Sequence, residues 1–125
     1  MRREVVTEGA AGFDMVDWAG QLRKGLLEMV VIGTIAKEGE AYGYGIVEKL
    51  SRLPGLELSE STVYPMLARL AKERLLAIRN EPSPAGPPRR YYRLTPLGER
   101  RLAEMRNVWK LVSRSVASTI EGGES

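Results

Sequence analysis

The 125-residue sequence contains no cysteine and no histidine. Without cysteine, disulfide bonds and thiolate metal sites are excluded. Without histidine, the commonest metal ligand and the commonest general base are also missing. Acids such as Asp14 and Asp17 are more simply explained as helix N-terminal charges than as catalytic groups. We therefore expect no catalytic residue, no metal site and no cofactor, and we predict that the chain is not an enzyme.

Long hydrophobic runs are also absent. A helix that crosses a bilayer needs about 18 consecutive apolar residues. The longest apolar run, residues 26–33, is much shorter and carries Glu28. The N-terminus begins Met1-Arg2-Arg3-Glu4 and lacks the apolar segment of a signal peptide. These features predict a cytoplasmic protein with no membrane partner.

Positive charge is concentrated in one part of the chain. The segment Ser59–Leu94 has seven Lys or Arg residues and three acids, hence +4, whereas the whole chain is +3. A short segment with this excess of positive charge is what a polyanion-binding surface needs. A solvated surface with uneven charge would have the same composition, so the count alone leaves both interpretations open.

The first half of the chain predicts an arm followed by two helices. Residues 1–13 are polar and contain glycine, which predicts a mobile arm. The first helix is predicted over 14–36, with Gly39 as its C-terminal cap, and the second over 43–53. Because the first helix is apolar on most of its circumference, we expect it to be buried on two sides, by its own domain and by a partner chain. Its two predicted stripes are Trp18, Leu22, Met29, Ile32 and Ala36, and Leu26, Val30 and Ile35.

The third helix is amphipathic and is predicted to end near Glu73. Val63, Leu67 and Leu70 recur at i, i+4 and i+7 and predict its buried stripe. Ser59 or Ser61 could cap this helix, and Pro65 favours Ser61, because proline is best tolerated in the first turn. The opposite face is then expected to carry Thr62, Tyr64 and Arg69.

A hairpin and a long helix are predicted to complete the chain. The strands are expected at 75–79 and 89–94, separated by a proline-rich loop over 81–88. Thr95 is predicted to cap the last helix, with Pro96 at its first position, and the helix to end near Ile120. Apolar residues on this helix alternate spacings of 3 and 4, as in a coiled-coil seam. The seam residues are Leu102, Met105, Trp109, Val112, Val116 and Thr119.

This order of elements predicts a mainly α fold with a small β-hairpin, namely a winged helix-turn-helix domain over 14–94 and a dimerisation helix over 95–121. The third helix would enter the major groove of DNA with Thr62 and Tyr64 near the bases and Arg69 near a phosphate or a guanine. Alternatively, Tyr64 packs on the domain and Arg69 is a solvated charge. In the wing, alternation predicts that only one of Arg89 and Arg90 faces DNA. Tyr91 and Tyr92 also point to opposite faces, one of them into the core.

Three spaced motifs resemble the PadR family of transcriptional regulators. They are YGYGI at 42–46, STVYPMLARL at 61–70 and RRYYRLTPLG at 89–98. The resemblance implies a homodimer with swapped contacts between first and last helices, and repression at an inverted-repeat operator in double-stranded DNA. The residues expected at DNA are Ser61, Thr62, Tyr64, Arg69, Arg74, Arg89, Arg90 and Tyr92.

The chain departs from the family pattern at three places. Arg74 stands where the family usually has the glycine that ends the third helix, and a left-handed backbone there costs a non-glycine residue on the order of 1 kcal/mol. Gly45 stands where glutamate is common. The wing tip is unusually rich in proline.

The single long C-terminal helix resembles a subfamily that includes multidrug-binding repressors. In that subfamily a tryptophan matching Trp109 stacks on flat aromatic ligands between subunits, although a tryptophan at this position could simply belong to the dimer core. Nearby basic residues favour an anionic or neutral effector over a cation. A winged-helix adaptor that binds protein and not DNA is the alternative function. The expected effector-binding residues are Trp109, Met105, Val112, Leu22 and Trp18.

Overall fold

The computed structural model describes the backbone of residues 8–121 and the side chains of residues 18–121. Three antiparallel strands form one sheet in the order β1-β3-β2. This arrangement confirms the predicted mainly helical fold with a small sheet. The elements are α1 (Glu8–Glu38), β1 (Ala41–Tyr42), α2 (Gly43–Ser51), α3 (Glu60–Lys72), β2 (Leu76–Ser83), β3 (Gly86–Leu94) and α4 (Pro96–Ile120).

One hydrophobic core joins α1, α2 and α3 to the sheet. Val63, Leu67 and Leu70 of α3 are completely buried, as the helical spacing predicted. They meet Ile46 and Leu50 of α2 in the same cluster. Because α3 places this stripe inward, the opposite side of the helix must face solvent.

Helix α1 differs from its prediction at its start and in its inward face. It begins at Glu8, so residues 8–13 of the expected arm are helical, and residues 1–7 lie outside the described part of the chain. The buried side chains are Leu27, Val31, Ile32 and Ile35, which cut across the two predicted stripes. Periodicity failed here because a helix that is apolar nearly all round has no single hydrophobic direction.

The C-terminal ends of α1 and α2 are each followed by a glycine in the left-handed region. Gly39 adopts φ +78°, and its N–H donates to the Ile35 carbonyl at 3.0 Å, which confirms the predicted cap. Helix α2 ends at Ser51, two residues earlier than predicted. The turn that follows contains Gly55 at φ +82°.

Helix α3 begins earlier than Pro65 suggested. Ser59 is the N-cap, with an extended backbone, and its carbonyl accepts from the N–H groups of Thr62 and Val63. The expectation that Ser61 caps the helix was therefore wrong. Pro65 lies inside the helix and removes one donor to the Ser61 carbonyl. Both residues are exposed, so water can bond this carbonyl.

The wing is longer than predicted, because its strands continue to Ser83 and from Gly86. The expected loop over 81–88 is reduced to Pro84 and Ala85. The register shifts between Glu81 and Ser83, which accommodates Pro82. β3 pairs with β1 only at Tyr91 and Tyr92, so the prolines of β3 lie beyond β1 and cost no bond on that edge. The two-residue strand β1 was not predicted.

Hydrogen bonds and a close backbone approach join the end of α3 to the start of α4. Arg74 has φ +67°, and the N–H groups of Arg74 and Leu75 donate to the Ala71 and Leu70 carbonyls, which forms a Schellman motif. The Thr95 hydroxyl donates to the Arg74 carbonyl at 2.7 Å and accepts from Gly98 N–H at 3.0 Å, which confirms the predicted cap. A Cβ on Gly98 would overlap the Leu75 carbonyl oxygen. These contacts fix α3 against the start of α4.

Candidate DNA-binding surface

The exposed side of α3 covers a narrower arc of the helix than predicted, and its central residues are not the predicted ones. Counting from the buried stripe at 100° per residue, the outward residues are Ser61, Pro65, Ala68 and Lys72, all of them exposed. We call this set the α3 face. Thr62 and Tyr64 lie on its two flanks, so the structure does not bring the predicted trio together. Lys72 could have been found from the sequence by locating the centre of the buried stripe.

The two flanks of α3 border different clefts. Thr62 lines a cleft against α1, beside Arg23 and Lys24. Tyr64 lines a cleft against the wing on the other side. Both side chains are exposed, Tyr64 by 40%. They can therefore reach a ligand that covers the α3 face from either edge.

Arg69 lies in an ion-pair network and is not the free cation that the sequence suggested. Its guanidinium donates to Glu28 of α1 at 2.9 Å and to Glu73 at 2.8 Å. These two carboxylates raise the pKa of Arg69, with the Glu28 hydrogen bond as the larger cause. Glu28 also accepts from Arg101 of α4 at 2.6 Å. Arg69 thus links α3 to α1 and, through Glu28, to α4.

Strand register decides which wing residues face the helices. Tyr92 and Leu94 are buried against the helices, and alternation places Arg90 on their face of the sheet. Arg89 lies on the other face, opposite Glu81, with its guanidinium 5.1 Å from the Tyr42 ring. Arg90 is therefore the wing arginine on the α3 side.

Tyr92 is a core residue, which corrects the expectation of an exposed ring at DNA. It is only 4% exposed, and its Cε1 lies 3.3 Å from where a Gly43 Cβ would stand. Any larger residue at position 43 would press on this ring. Tyr91 is on the opposite face and packs against Tyr42 with 5.6 Å between ring centroids.

The outer face of the wing has its own charge pairs. Arg79 donates to both Glu40 carboxylate oxygens, at 2.8 and 3.1 Å, and lies 4.7 Å from the Tyr91 ring centroid. The Arg79 hydrogen bond lowers the pKa of Glu40, and the same pair raises the pKa of Arg79. Arg79 is therefore neutralised locally. By contrast, Lys72, Arg74 and Arg90 form no ion pair with any residue of the described chain.

A cleft of about 320 Å3 lies between the start of α2, Tyr64 and the wing. We call it the wing cleft. Desolvation, followed by the nearby charge of Glu60, raises the pKa of Tyr64. Two arginines border the cleft, which makes it electropositive. Its lining residues are Tyr42, Gly43, Tyr44, Tyr64, Pro87, Pro88, Arg89, Arg90 and Tyr92.

A second, larger groove of about 610 Å3 runs between α1 and α4. Four of the five expected effector-binding residues line this α1–α4 groove, namely Leu22, Met105, Trp109 and Val112. Trp18 does not line it. Glu28, Arg101 and Glu104 also line the groove. Val108 of α4 also lines the groove, and it is exposed together with Leu111, Val116 and Ile120 by 49–73%.

Two further observations concern the described residues alone. No helix among them is long and apolar enough to span a membrane. No group of three or more acidic side chains in this part of the chain is arranged to hold a metal ion.

The chain is similar in sequence and in structure to known proteins. The model of the transcriptional regulator PadR-like family matches residues 31–104. The transcriptional regulator Rv3488 of Mycobacterium tuberculosis is 36% identical over 90 residues, which cover 72% of this chain and 78% of that protein. The crystal structure of a PadR-like transcriptional regulator from Bacillus cereus has a TM-score of 0.72 at 36% identity, over 83% of this chain and 99% of that one.

A more distant structure was determined with DNA. Bacillus subtilis PadR, crystallised in complex with operator DNA, is 26% identical with a TM-score of 0.56, over 64% of this chain and 46% of that one. The predicted family and winged-helix fold are thus confirmed, and the family is one of regulators and not of enzymes. The chain belongs to the PadR-like family of transcriptional regulators.

Proposed function

We propose that this chain is a homodimeric repressor that binds an inverted-repeat operator through the α3 face and the wing. The observation that carries the proposal is a set of cations around the α3 face, Lys72, Arg74 and Arg90, that have no ion-pair partner among the described residues. Unpaired Lys and Arg side chains neutralise DNA phosphates and release counterions, which drives binding. The operator complex of Bacillus subtilis PadR supports this assignment.

The dimer is proposed from the apolar surface of α1 and α4. Trp109 and Val112 are 44% and 46% exposed in one chain, and Trp18 is 58% exposed. Contiguous apolar surface of this kind is typical of an interface. A second copy packed here would place two α3 helices for half-sites one helical turn, about 34 Å, apart. In this proposal residues 14–94 of each copy bind DNA, and α4 sets the distance between the two α3 helices.

The DNA-binding proposal is tested by fluorescence anisotropy on fragments upstream of the protein's own operon, at several salt concentrations. We expect a sequence-selective, salt-sensitive affinity. Lys72→Gln and Arg90→Gln should each lower the salt slope by about 0.9, because each removes a phosphate contact. Arg69→Gln is the matched control: we expect its slope to be unchanged, because Glu28 and Glu73 already neutralise Arg69.

The alternative function, a winged-helix adaptor, makes the opposite prediction. Such a protein would show no salt-sensitive binding to any fragment, and Tyr64→Ala and Arg90→Ala would leave its protein partner bound. That pair of results would overturn the repressor proposal. The three cations favour the repressor, because Lys and Arg side chains without an ion-pair partner among the described residues can neutralise DNA phosphates.

We further propose that the α1–α4 groove takes a flat aromatic effector, anionic or neutral. Trp109, Met105 and Val112 offer an apolar wall on which a flat ring can stack. A ligand wedged against Trp109 would change the spacing of the two α3 helices and release the operator. Trp18→Phe leaves Trp109 as the sole tryptophan, whose fluorescence should be quenched by a planar aromatic acid. Quenching that persists in a Trp109→Ala variant retaining Trp18 would exclude the groove.

A further inference from the structure

The Glu28 carboxylate of α1 bridges two helices that have different proposed roles. Its Oε1 accepts from Arg69 of α3 at 2.9 Å, and its Oε2 accepts from Arg101 of α4 at 2.6 Å. Arg69 also pairs with Glu73, whereas Arg101 has no second ion-pair partner in the described part of the chain. Glu28 is only 19% exposed, so its position is well defined. We call Glu28, Arg69 and Arg101 the Glu28 network.

The Glu28 network adds a directional constraint to α3. Apolar burial holds the inward stripe of α3, but this force has no directional requirement. Arg69 lies on the same flank of α3 as Thr62, the side that faces α1. The C-terminal end of the helix is bonded separately, at the Arg74 carbonyl, to the cap of α4. A helix attached at its end and on one flank cannot turn about its axis without breaking one of these attachments.

Two members of the network lie away from the proposed DNA contacts. Glu28 and Arg101 line the α1–α4 groove, and no residue of α3 or of the wing lines it. Both are absent from the α3 face and from the cations around it. An effect of Arg101 on DNA binding is therefore expected to pass through Glu28 to Arg69.

We propose that Glu28 and Arg101 are positioning residues that set the selectivity for the operator by fixing the orientation of the α3 face. This inference rests on the proposed DNA-binding function. Phosphate contacts carry no sequence information, whereas contacts to base edges require the helix to be aligned with them. A rotation of α3 should therefore weaken the operator complex and leave binding to unrelated DNA nearly unchanged. A ligand in the α1–α4 groove would lie against the same two residues.

The test compares a selectively bound upstream fragment with a random-sequence duplex of the same length, by fluorescence anisotropy. Arg101→Gln removes the charge at the α4 end of the network. We expect about tenfold weaker binding of the fragment, the order expected from losing one hydrogen bond between charged groups. Affinity for the random duplex and both salt slopes should match the wild type, because no phosphate contact is lost. A purely structural role would lower the melting temperature and leave the ratio of the two affinities unchanged.

Arg100→Gln is the matched control for this variant. Arg100 is the preceding residue of α4, is exposed, and has no ion-pair partner among the described residues. The same charge is lost, so we expect both affinities to stay at their wild-type values. An unchanged affinity ratio in Arg101→Gln, or an equal loss in Arg100→Gln, would overturn the proposal.

Combination with Arg69→Gln tests whether Arg101 acts through the network. In an Arg69→Gln background, Arg101→Gln should cause no further loss of selectivity, because α3 has already lost its bond to Glu28. Substitutions that act through one network are not additive, whereas independent ones are. A further tenfold loss in the double variant would show that Arg101 acts by another route and would overturn the proposal.

An NMR measurement without DNA separates the network from the function on which it rests. We expect the guanidinium resonances of Arg69 to shift in Arg101→Gln and to stay in place in Arg100→Gln. If the wild type prefers no fragment but these shifts are seen, the DNA-binding function fails and the link from α4 to α3 stands. Unshifted Arg69 resonances in Arg101→Gln would overturn the link itself.

Discussion

The winged domain and the α1–α4 face of this chain differ in how completely they bury their apolar residues. Val63 and Leu67 of α3 are 0% exposed, whereas Val112 and Trp109 of α4 are 46% and 44% exposed. The first region forms a closed core within one chain. The second has a helical apolar stripe with no cover from the described residues. We infer from this difference that the winged domain is stable within one chain, whereas the apolar face of α1 and α4 is covered by a second chain.

Glu28 lies at the boundary between these two regions. It lines the α1–α4 groove and at the same time bonds Arg69 of α3 and Arg101 of α4. A change in the groove that moves Glu28 would therefore act directly on its ion pair with Arg69, which lies on the helix proposed to bind DNA.

The largest expected effect is in the closed core. Leu67→Ala removes a fully buried side chain and leaves a cavity, which should lower the free energy of unfolding by about 2–5 kcal/mol. Urea unfolding followed by circular dichroism measures the change. Ala68→Ser, one residue along on the exposed face, is the control and should change stability little. A Leu67→Ala variant as stable as the wild type would show that the core is not closed.

The α1–α4 face should respond to charge by dissociating and not by unfolding. Val112→Glu places a carboxylate in the proposed seam, and we expect the dimer dissociation constant to rise about 100-fold or more, since each 1.4 kcal/mol is a factor of ten. Analytical ultracentrifugation measures it. Asn107→Glu adds the same charge on the opposite side of α4 and should leave the dimer intact. A monomeric wild type would contradict the proposal.

Local signals predicted the parts of the fold that depend on neighbouring residues. The buried stripe of α3, the Gly39 cap and the Thr95 cap were all confirmed, because each needs only residues within two turns. Arg74, which stands where the family usually has a glycine, is left-handed at φ +67°, and this end of α3 is likewise set by neighbouring residues. The α1 stripes failed because that helix has too many apolar positions to choose among.

Long-range pairing could not be predicted from the sequence. Arg69 and Glu28 are 41 residues apart, so no spacing rule places them together, and in the sequence Glu28 is only a charge within an apolar run. The strand β1 is two residues long and exists through pairing with Tyr91 and Tyr92. The sequence therefore assigned the expected residues to α3 and the wing, but it could not predict that Arg69 pairs with Glu28 or that Tyr92 is the buried tyrosine, and their contact with DNA stays a prediction.

The Glu28 network should contribute a smaller effect that links the two regions. Glu28→Gln leaves Arg69 and Arg101 without their shared carboxylate, and we expect a loss of about 1–2 kcal/mol in unfolding free energy, because a hydrogen-bonded charge pair is removed. Urea unfolding at low and high salt measures it, and the loss should shrink at high salt. Glu104→Gln, in the same groove, is the control. Equal losses in both variants would contradict a specific role for Glu28.

The smallest expected effect belongs to the outer face of the wing, where Arg79 lowers the pKa of Glu40 below its ordinary value of 4.5. A carboxylate with a lowered pKa in the folded state stabilises the fold above its unfolded pKa. This contribution disappears as pH falls through the lower, folded pKa. Both side chains are partly exposed, so the effect is small and screened by salt.

The pair is tested by the melting temperatures of the wild type and Glu40→Gln between pH 7 and pH 3. We expect the wild type to melt slightly higher at pH 7, and the difference to vanish at low pH as Glu40 becomes protonated. Glu57→Gln, an exposed carboxyl with no arginine partner among the described residues, should show no such trend. A difference that persists unchanged at pH 3 would mean that Glu40 acts by packing against the wing and not by its charge.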